Sequence, residues 1–390
     1  MVAVRARREN PFGVNAVSYW RSELGIADSA RLLVAALEEA GVPVQPISLR
    51  SFVPPSRQQG DALGAMWPED AAFAVNLLAL NPEGLLSLRK ESGRGFFRGR
   101  ANVGYWWWEV LGAFPARWRR AFDLVDEVFV GSRYVRDAIA RVAPVPVRLV
   151  PIPVRPLPAP VPRRQLGLPD GFLFMVVFDY NSTCARKNPH GAVRAYRYAF
   201  EPDSGSSLVI KSINGDKAPD DRDELVELAG DRPDIRLIDE YMAAEEVDLM
   251  LACADCVVSL HRAEGFGIPL ARALRSGIPV IATRYGGNLD YMNDENSYLV
   301  AHTSTTVPTG TLYPAGAEWA EPDVDHAATH LRRVFEHADE ARERAGVGAA
   351  WLAEHYSLER TGAALATELR RVAAVKPRPR RVARIRLGPR

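Results

Sequence analysis

Apolar and polar positions along the chain switch repeatedly between a strand-like and a helix-like period. The short apolar run at 14–20, "VNAVSYW", reads as a strand. Residues 27–41 place apolar side chains three and four apart, begin acidic and stop at Gly41, which predicts a helix. "VPVQPIS" follows, and then a Pro/Gln/Gly loop to about residue 68. Apolar runs at 73–80, 101–110 and 127–132 predict further strands, the last leading into a helix from Arg133. A βα alternation of this kind implies a parallel, doubly wound sheet.

Residues 150–164, "VPIPVRPLPAPVPRR", hold six prolines and can be neither a helix nor a central strand. Such a segment is semi-rigid and extended, suited to a hinge between domains. The alternation then restarts. Strands are expected at 171–180, 206–212, 234–239, 255–262 and 278–283, and helices at 188–200, 221–230, 243–254 and 268–277. One charged amphipathic helix is expected over 322–345 and another over 357–374, with Ser357 as its N-cap. The chain therefore reads as two Rossmann-like α/β halves facing a cleft. The first domain is 1–152, the linker 153–165, the second domain 166–350, followed by a terminal helix at 351–375 and a tail at 376–390.

Composition adds little to this except at the end of the chain. The last fifteen residues carry seven basic side chains and no acidic one, so the formal charge of +1 hides an acidic body with a basic tail. The tail is a candidate for contact with an anionic membrane surface, against the plainer reading of a solvated end. No nucleic-acid partner is expected. No run of about 18 apolar residues predicts a membrane span, and the N-terminus has no apolar core of an export signal. Three cysteines are too few for a disulfide scaffold, so reduced thiols and a cytoplasmic location are expected, peripheral on the inner membrane face if the tail binds there. Cys253 and Cys256, His326 and His330, and the Asp-x-Asp runs at 221–223 and 323–325 lack a further ligand at metal-binding spacing, so no metal or other cofactor is expected.

The most specific stretch is 261–287, "HRAEGFGIPLARALRSGIPVIATRYGG". It opens at the carboxyl end of a predicted strand, where doubly wound sheets bind ligands. Gly265 and Gly267 bare the backbone, and Pro269 opens a helix whose N-terminus favours an anion. Glu264 beside them suits the hydroxyl pair of a sugar, so the stretch fits a nucleotide sugar. The "YWWWE" run at 105–109 puts Trp106 and Trp108 on one face and Trp107 on the other. Core packing and a platform for an acceptor sugar are both open to these rings.

"EGFGIPLARALRSGIPVIATRYGGNLDYM" resembles the donor-binding region of the retaining glycosyltransferases of family 4, which share the GT-B fold. Weaker likenesses run along the chain, at "SYWRSELGIADSARLLVAAL", "DEVFVGSRYVRDAI", "FDYNSTCARKNPHGAVRAY" and "HYSLERTGAAL". The resemblance implies transfer of a sugar from a nucleotide-sugar donor to a hydroxyl of a sugar or glycoconjugate acceptor, with retained anomeric configuration and without a metal ion. It places the donor on the second domain and the acceptor on the first, and returns the last helix to the first domain. Glu264 would bind the donor sugar, helped by the backbone at Phe266, Gly267 and Ile268. Lys187 and Arg186 would meet the donor diphosphate, with Lys211 a further cation, and Gly25 would let the first domain approach it. Trp107, Trp108 and Glu109 fall near the acceptor cleft. Relatives often have a second glutamate where this chain has Arg272, a residue that donates hydrogen bonds to a ribose but cannot accept them. The rival expectations are an epimerase or hydrolase of nucleotide sugars on the same fold, and a binding module without catalysis.

Overall fold

The computed structural model describes residues 10–22, 24–49, 66–309, 313–314 and 316–375. The basic tail and most of the loop expected before residue 68 lie outside them. In chain order the first half contains β1 (Val14–Val17), α1 (Gly25–Glu39), β2 (Val44–Ile47), β3 (Val75–Leu78), α2 (Pro82–Ser92), β4 (Ala101–Tyr105), β5 (Glu127–Val130), α3 (Arg133–Ala140) and β6 (Val147–Leu149). The second contains β7 (Phe172–Asp179), α4 (Cys184–Lys187), α5 (Pro189–Ala199), β8 (Ser206–Ile213), α6 (Pro219–Ala229), β9 (Ile235–Asp239), α7 (Ala244–Ala252), β10 (Cys256–Ser259), α8 (Ile268–Arg275), β11 (Val280–Thr283) and β12 (Tyr298–Val300). A hairpin, β13 (His302–Thr306) and β14 (Glu318–Pro322), precedes α9 (Val324–Glu336), α10 (Ala338–His355) and α11 (Leu358–Ala374).

Each half builds one six-stranded parallel sheet, ordered β2-β1-β3-β4-β5-β6 and β12-β11-β10-β7-β8-β9. The apolar run of β7 explains why that strand is central. Leu173 and Met175 enter the core on one face, and Phe174, Val176 and Phe178 enter the core on the other. Burying each such side chain is worth roughly 1.5–3 kcal/mol, so a strand apolar on both faces is driven to the middle of a covered sheet.

In the second sheet the chain order reverses between β7 and β10, and in the first between β1 and β3. Loops leaving the carboxyl ends of strands at such a switch point diverge and leave a crevice. The loop after β7 carries Arg186 and Lys187, and the loop after β10 carries Glu264 to Gly267. The topology alone therefore sets these two segments side by side.

Three features depart from the expectations. The helix expected over 322–345 breaks at His337 into α9 and α10. Ala327, Leu331 and Val334 face one core, while Ala345 and Leu352 face the other, and one straight helix could not serve both. The hairpin was not expected, because its Thr/Ser-rich strand lacks an apolar period. It carries Val307, Tyr313, Ala317 and Trp319 into the core of the first domain, where Glu318 also bridges Leu111. The proline-rich linker runs without helix or strand over 151–162, but it is pinned. The Val154 N–H donates to the Tyr356 carbonyl at 2.8 Å, and the Leu157 N–H to Ser276 Oγ at 2.7 Å.

Helix α11 crosses back to the first half. Leu365, Ala366, Leu369 and Val372 join the core beneath α1. A Cβ at Gly362 would stand 2.1 Å from the Ala36 carbonyl oxygen, so only glycine permits this helix approach. Arg371 closes the contact with a fork onto Glu127 of β5, at 2.9 and 2.5 Å.

Candidate active site

At the second switch point the Lys187 ammonium lies 2.5 Å from Glu264 Oε2, and an Arg186 guanidinium nitrogen lies 3.7 Å from the same oxygen. Lys187 reaches it because the short α4 ends at Asn188, which adopts a left-handed conformation and caps α5 through its side chain. Burial pushes the Glu264 pKa up, toward the neutral form, but the charges of Lys187, Arg186 and His261 outweigh it and hold the pKa at about 2. The group is thus a fixed carboxylate throughout the neutral range.

Arg186 is buried at 5% exposure, and its guanidinium donates to the carbonyls of Ala263 at 3.0 Å and Ser182 at 3.1 Å. It braces the backbone beneath Glu264 and is not open to a ligand. This corrects the expectation of a paired cation on the diphosphate: the adjacent positions 186 and 187 point to opposite fates. Lys211 is corrected likewise. It is 1% exposed and gives its protons to the carbonyls of Ser212 at 2.7 Å and Glu240 at 2.5 Å, tying β8 to the end of β9.

The backbone from Glu264 to Ile268 is held open as a cradle. Gly267 sits at φ +82°, a conformation that glycine adopts freely, and starts α8. The first N–H groups of α8 have no acceptor within the helix and face outward with its positive end. The Tyr291 hydroxyl spans the carbonyl oxygens of Phe266 and Gly267 at 2.8 and 2.9 Å. Phe266 itself is buried against Tyr291 and Tyr356, so it contributes backbone and not a ring, and Ile268 is half-buried.

The glycine pair 286–287 has a structural task. The Gly287 N–H donates to the Glu264 carbonyl at 2.8 Å, and a Cβ at 287 would stand 1.9 Å from the Gly265 carbonyl oxygen. Two loops thus meet backbone to backbone. The first domain seals the same point: Ser132, the N-cap of α3, donates its hydroxyl to the Gly265 carbonyl at 2.6 Å. Next to it the Arg133 N–H donates to Asp290 at 2.8 Å. Ser132 was not a sequence candidate, although the "GSRY" cap could have marked it.

Among the cleft candidates, Trp108 is 3% exposed and wrapped by Phe114, Trp118 and Tyr313. It is core and leaves no face for stacking. Trp107 lies on the other side of the chain, half-buried against Tyr105. Glu109 accepts from the Tyr313 hydroxyl at 3.2 Å, and its Cγ lies 3.7 Å from where a Gly265 Cβ would be. It therefore borders the cradle from the first domain. Gly25 begins α1 with open space where its side chain would project. Arg272 does not face into the cradle unpaired. Its fork holds Asp248 of α7 with contacts of 2.5 and 2.8 Å.

Two doubly wound sheets with a returning terminal helix form the GT-B fold, with a charged cradle at its second switch point. The residues 128–388 match the family described as "Family 4 Glycosyltransferase in conflict systems", and the chain belongs to it. Its fold is shared with Anabaena HepE, solved in complex with UDP and glucose, at a TM-score of 0.67 and 13% identity over 92% of this chain and 99% of that one. It is shared equally with sucrose-phosphate synthase from Thermosynechococcus elongatus, at a TM-score of 0.66 and 17% identity over 93% of this chain and 99% of that one. A trehalose synthase of Rubrobacter xylanophilus is 33% identical over 106 residues, which is 26% of either chain. The match thus spans about a quarter of that relative's length. Among the described residues no helix is long and apolar enough to cross a membrane.

Proposed function

We propose that the chain moves a sugar from a nucleotide-sugar donor to a hydroxyl of a sugar or glycoconjugate acceptor, with the anomeric configuration retained. The observation that carries this reading is the 2.5 Å contact of Lys187 with Glu264 at the N-terminus of α8. A carboxylate held ionised accepts hydrogen bonds from the donor sugar. Lys187, 20% exposed, can swing from Glu264 to a diphosphate that arrives beside it. The diphosphate gains charge as the glycosidic bond breaks, so a cation and a helix N-terminus favour the transition state over the ground state. The two together take the role that a divalent ion would otherwise fill. Anabaena HepE, which shares the fold, is solved with UDP-glucose, which supports a donor of this kind.

In this reading Arg186 and Tyr291 position the cradle, while Trp107 and Glu109 border the acceptor. The seal of Ser132 on Gly265 keeps water from the sugar, which limits hydrolysis.

The test is incubation of the full chain with UDP-, GDP-, ADP- and dTDP-glucose, together with simple sugar acceptors. Release of nucleoside diphosphate with an α-linked product from an α-linked donor supports the reading. An epimerised donor would replace it with the epimerase reading, and binding without any turnover would replace it with a binding module.

A further inference from the structure

Two segments of the second half of the chain reach into the first domain, one on each face of its sheet. Helix α11 lies on one face, where Leu365, Ala366 and Leu369 share a core with Phe129 of β5. The β13–β14 hairpin lies on the other, where Val307, Tyr313, Ala317 and Trp319 share a core with Val128 and Val130, the neighbours of Phe129 on the same strand. Successive residues of a strand face opposite sides, so helix and hairpin grip the sheet between them. At the tip, the Tyr313 ring stands edge-on to Trp108 at 5.6 Å and its hydroxyl donates to Glu109 at 3.2 Å. The base of the hairpin is tied to the cradle instead. The Ala320 N–H donates to the Arg262 carbonyl at 2.8 Å, and the Arg262 guanidinium forks onto Glu321 at 2.6 and 2.9 Å. Arg262 also donates to the Ala185 carbonyl at 2.6 Å and, from its backbone, to the Arg186 carbonyl at 2.7 Å. One residue thus joins the hairpin to both loops, those that carry Lys187 and Glu264.

We infer that the β13–β14 hairpin is an interdomain strap, whose tip, seated beside Trp108, holds the cleft closed before any ligand binds. Closure about a hinge needs a joint that gives. Here the linker over 151–162 is pinned at Val154 and Leu157. A swing about it would also strip Tyr313 and Trp319 from the first core, and large aromatic rings are the costliest apolar groups to return to water. The cradle stays reachable with the strap seated, because Lys187 and Glu264 keep 20% and 14% of their side-chain surface open. Ligand entry therefore needs no swing, and Tyr313 keeps Glu109 beside the cradle throughout. The strap follows from the fold and does not depend on the nucleotide-sugar reading.

The test is single-molecule energy transfer in the full chain, with dyes on Lys90→Cys and Asp223→Cys, exposed positions of the first and second domains. The three native cysteines are buried and stay unlabelled. The unliganded chain is expected to give one narrow transfer efficiency, which saturating UDP, GDP, ADP or dTDP leaves unchanged. Trp319→Ala, which empties the seat of a buried ring, is expected to raise the low-transfer population by about tenfold or more. Hydrogen exchange in that variant should quicken at 106–111 and 262–266 and stay unchanged in β1 and β3, which separates release of the strap from loss of the fold. Tyr313→Ala is expected to act in the same direction and serves if Trp319→Ala does not fold. A broad unliganded distribution that a nucleotide narrows, or a folded variant that transfers like its parent, overturns the inference.

Discussion

The two sheets each bury a polar network, and the two networks are finished differently. In the first domain Asn15, Asn76 and Asn102 stand in register on β1, β3 and β4. Asn15 donates to Asn76 at 2.8 Å and Asn76 to Asn102 at 2.9 Å, and the remaining amide protons go to the carbonyls of Phe73, Phe96, Phe97 and Arg100. The ladder is neutral, near the amino ends of the strands and closed on itself. In the second domain Glu264, Lys187 and Arg186 meet at the carboxyl ends, are charged, and leave acceptor sites on Glu264 and donors on Lys187 unspent. A satisfied buried network fixes register. An unsatisfied charged one at a switch point is stored capacity for a ligand. The difference separates structure from chemistry before any ligand is seen.

That comparison can be broken by substitution. Glu264→Gln and Lys187→Ala are each expected to lower kcat by about 10²–10³-fold, the scale of losing one preorganised electrostatic contact. A loss smaller than tenfold in steady-state transfer would remove these residues from the chemistry. Asn76→Leu should do the reverse. It strands an amide proton of Asn15, the side-chain carbonyl of Asn102 and the Phe96 carbonyl, at about 1–3 kcal/mol for each buried group, so denaturant unfolding should show a loss of at least about 3 kcal/mol with kcat unchanged per folded molecule. Gly287→Ala forces the loops at 264–265 and 286–287 apart, since its Cβ would overlap the Gly265 carbonyl. A loss of about 1–3 kcal/mol in stability, with weakened donor binding in titration, is expected.

The smallest effect is one of pH. The pKa of Glu264 is depressed from 4.5 to about 2 by its cationic neighbours, after burial has pushed the other way. Its contribution to stability is therefore present above pH 4.5 and lost as the pH falls through about 2. The stability gap between wild type and Glu264→Gln should stay level from pH 5 to 8 and shrink only below that. A gap that changes near neutrality would mean that Glu264 titrates there.

Much of the site was legible because it follows from topology. A strand, a glycine-rich turn and a helix at 255–277 announce a cradle, and the same alternation at 171–200 announces its partner loop. The chemistry of neighbours was not legible. Arg186 and Lys187 are adjacent in sequence, yet one turns beneath the loop and the other into the crevice. Lys211 ends an apolar strand, where burial against carbonyls and exposure to a ligand look alike in one dimension. Asp248 lies in an acidic helical stretch with nothing to mark it as the partner of Arg272, 24 residues on. The hairpin that brings Tyr313 to Glu109 has no apolar period, because three of its four anchoring side chains, Val307, Tyr313 and Ala317, lie between its strands.

The most direct measurement is a crystal structure of the chain soaked with the nucleotide sugar that it binds best. The account predicts a sugar hydroxyl within hydrogen-bond distance of the Glu264 carboxylate, with the Lys187 ammonium moved onto the diphosphate. A ligand lodged elsewhere, with the contact between Lys187 and Glu264 intact, would contradict it.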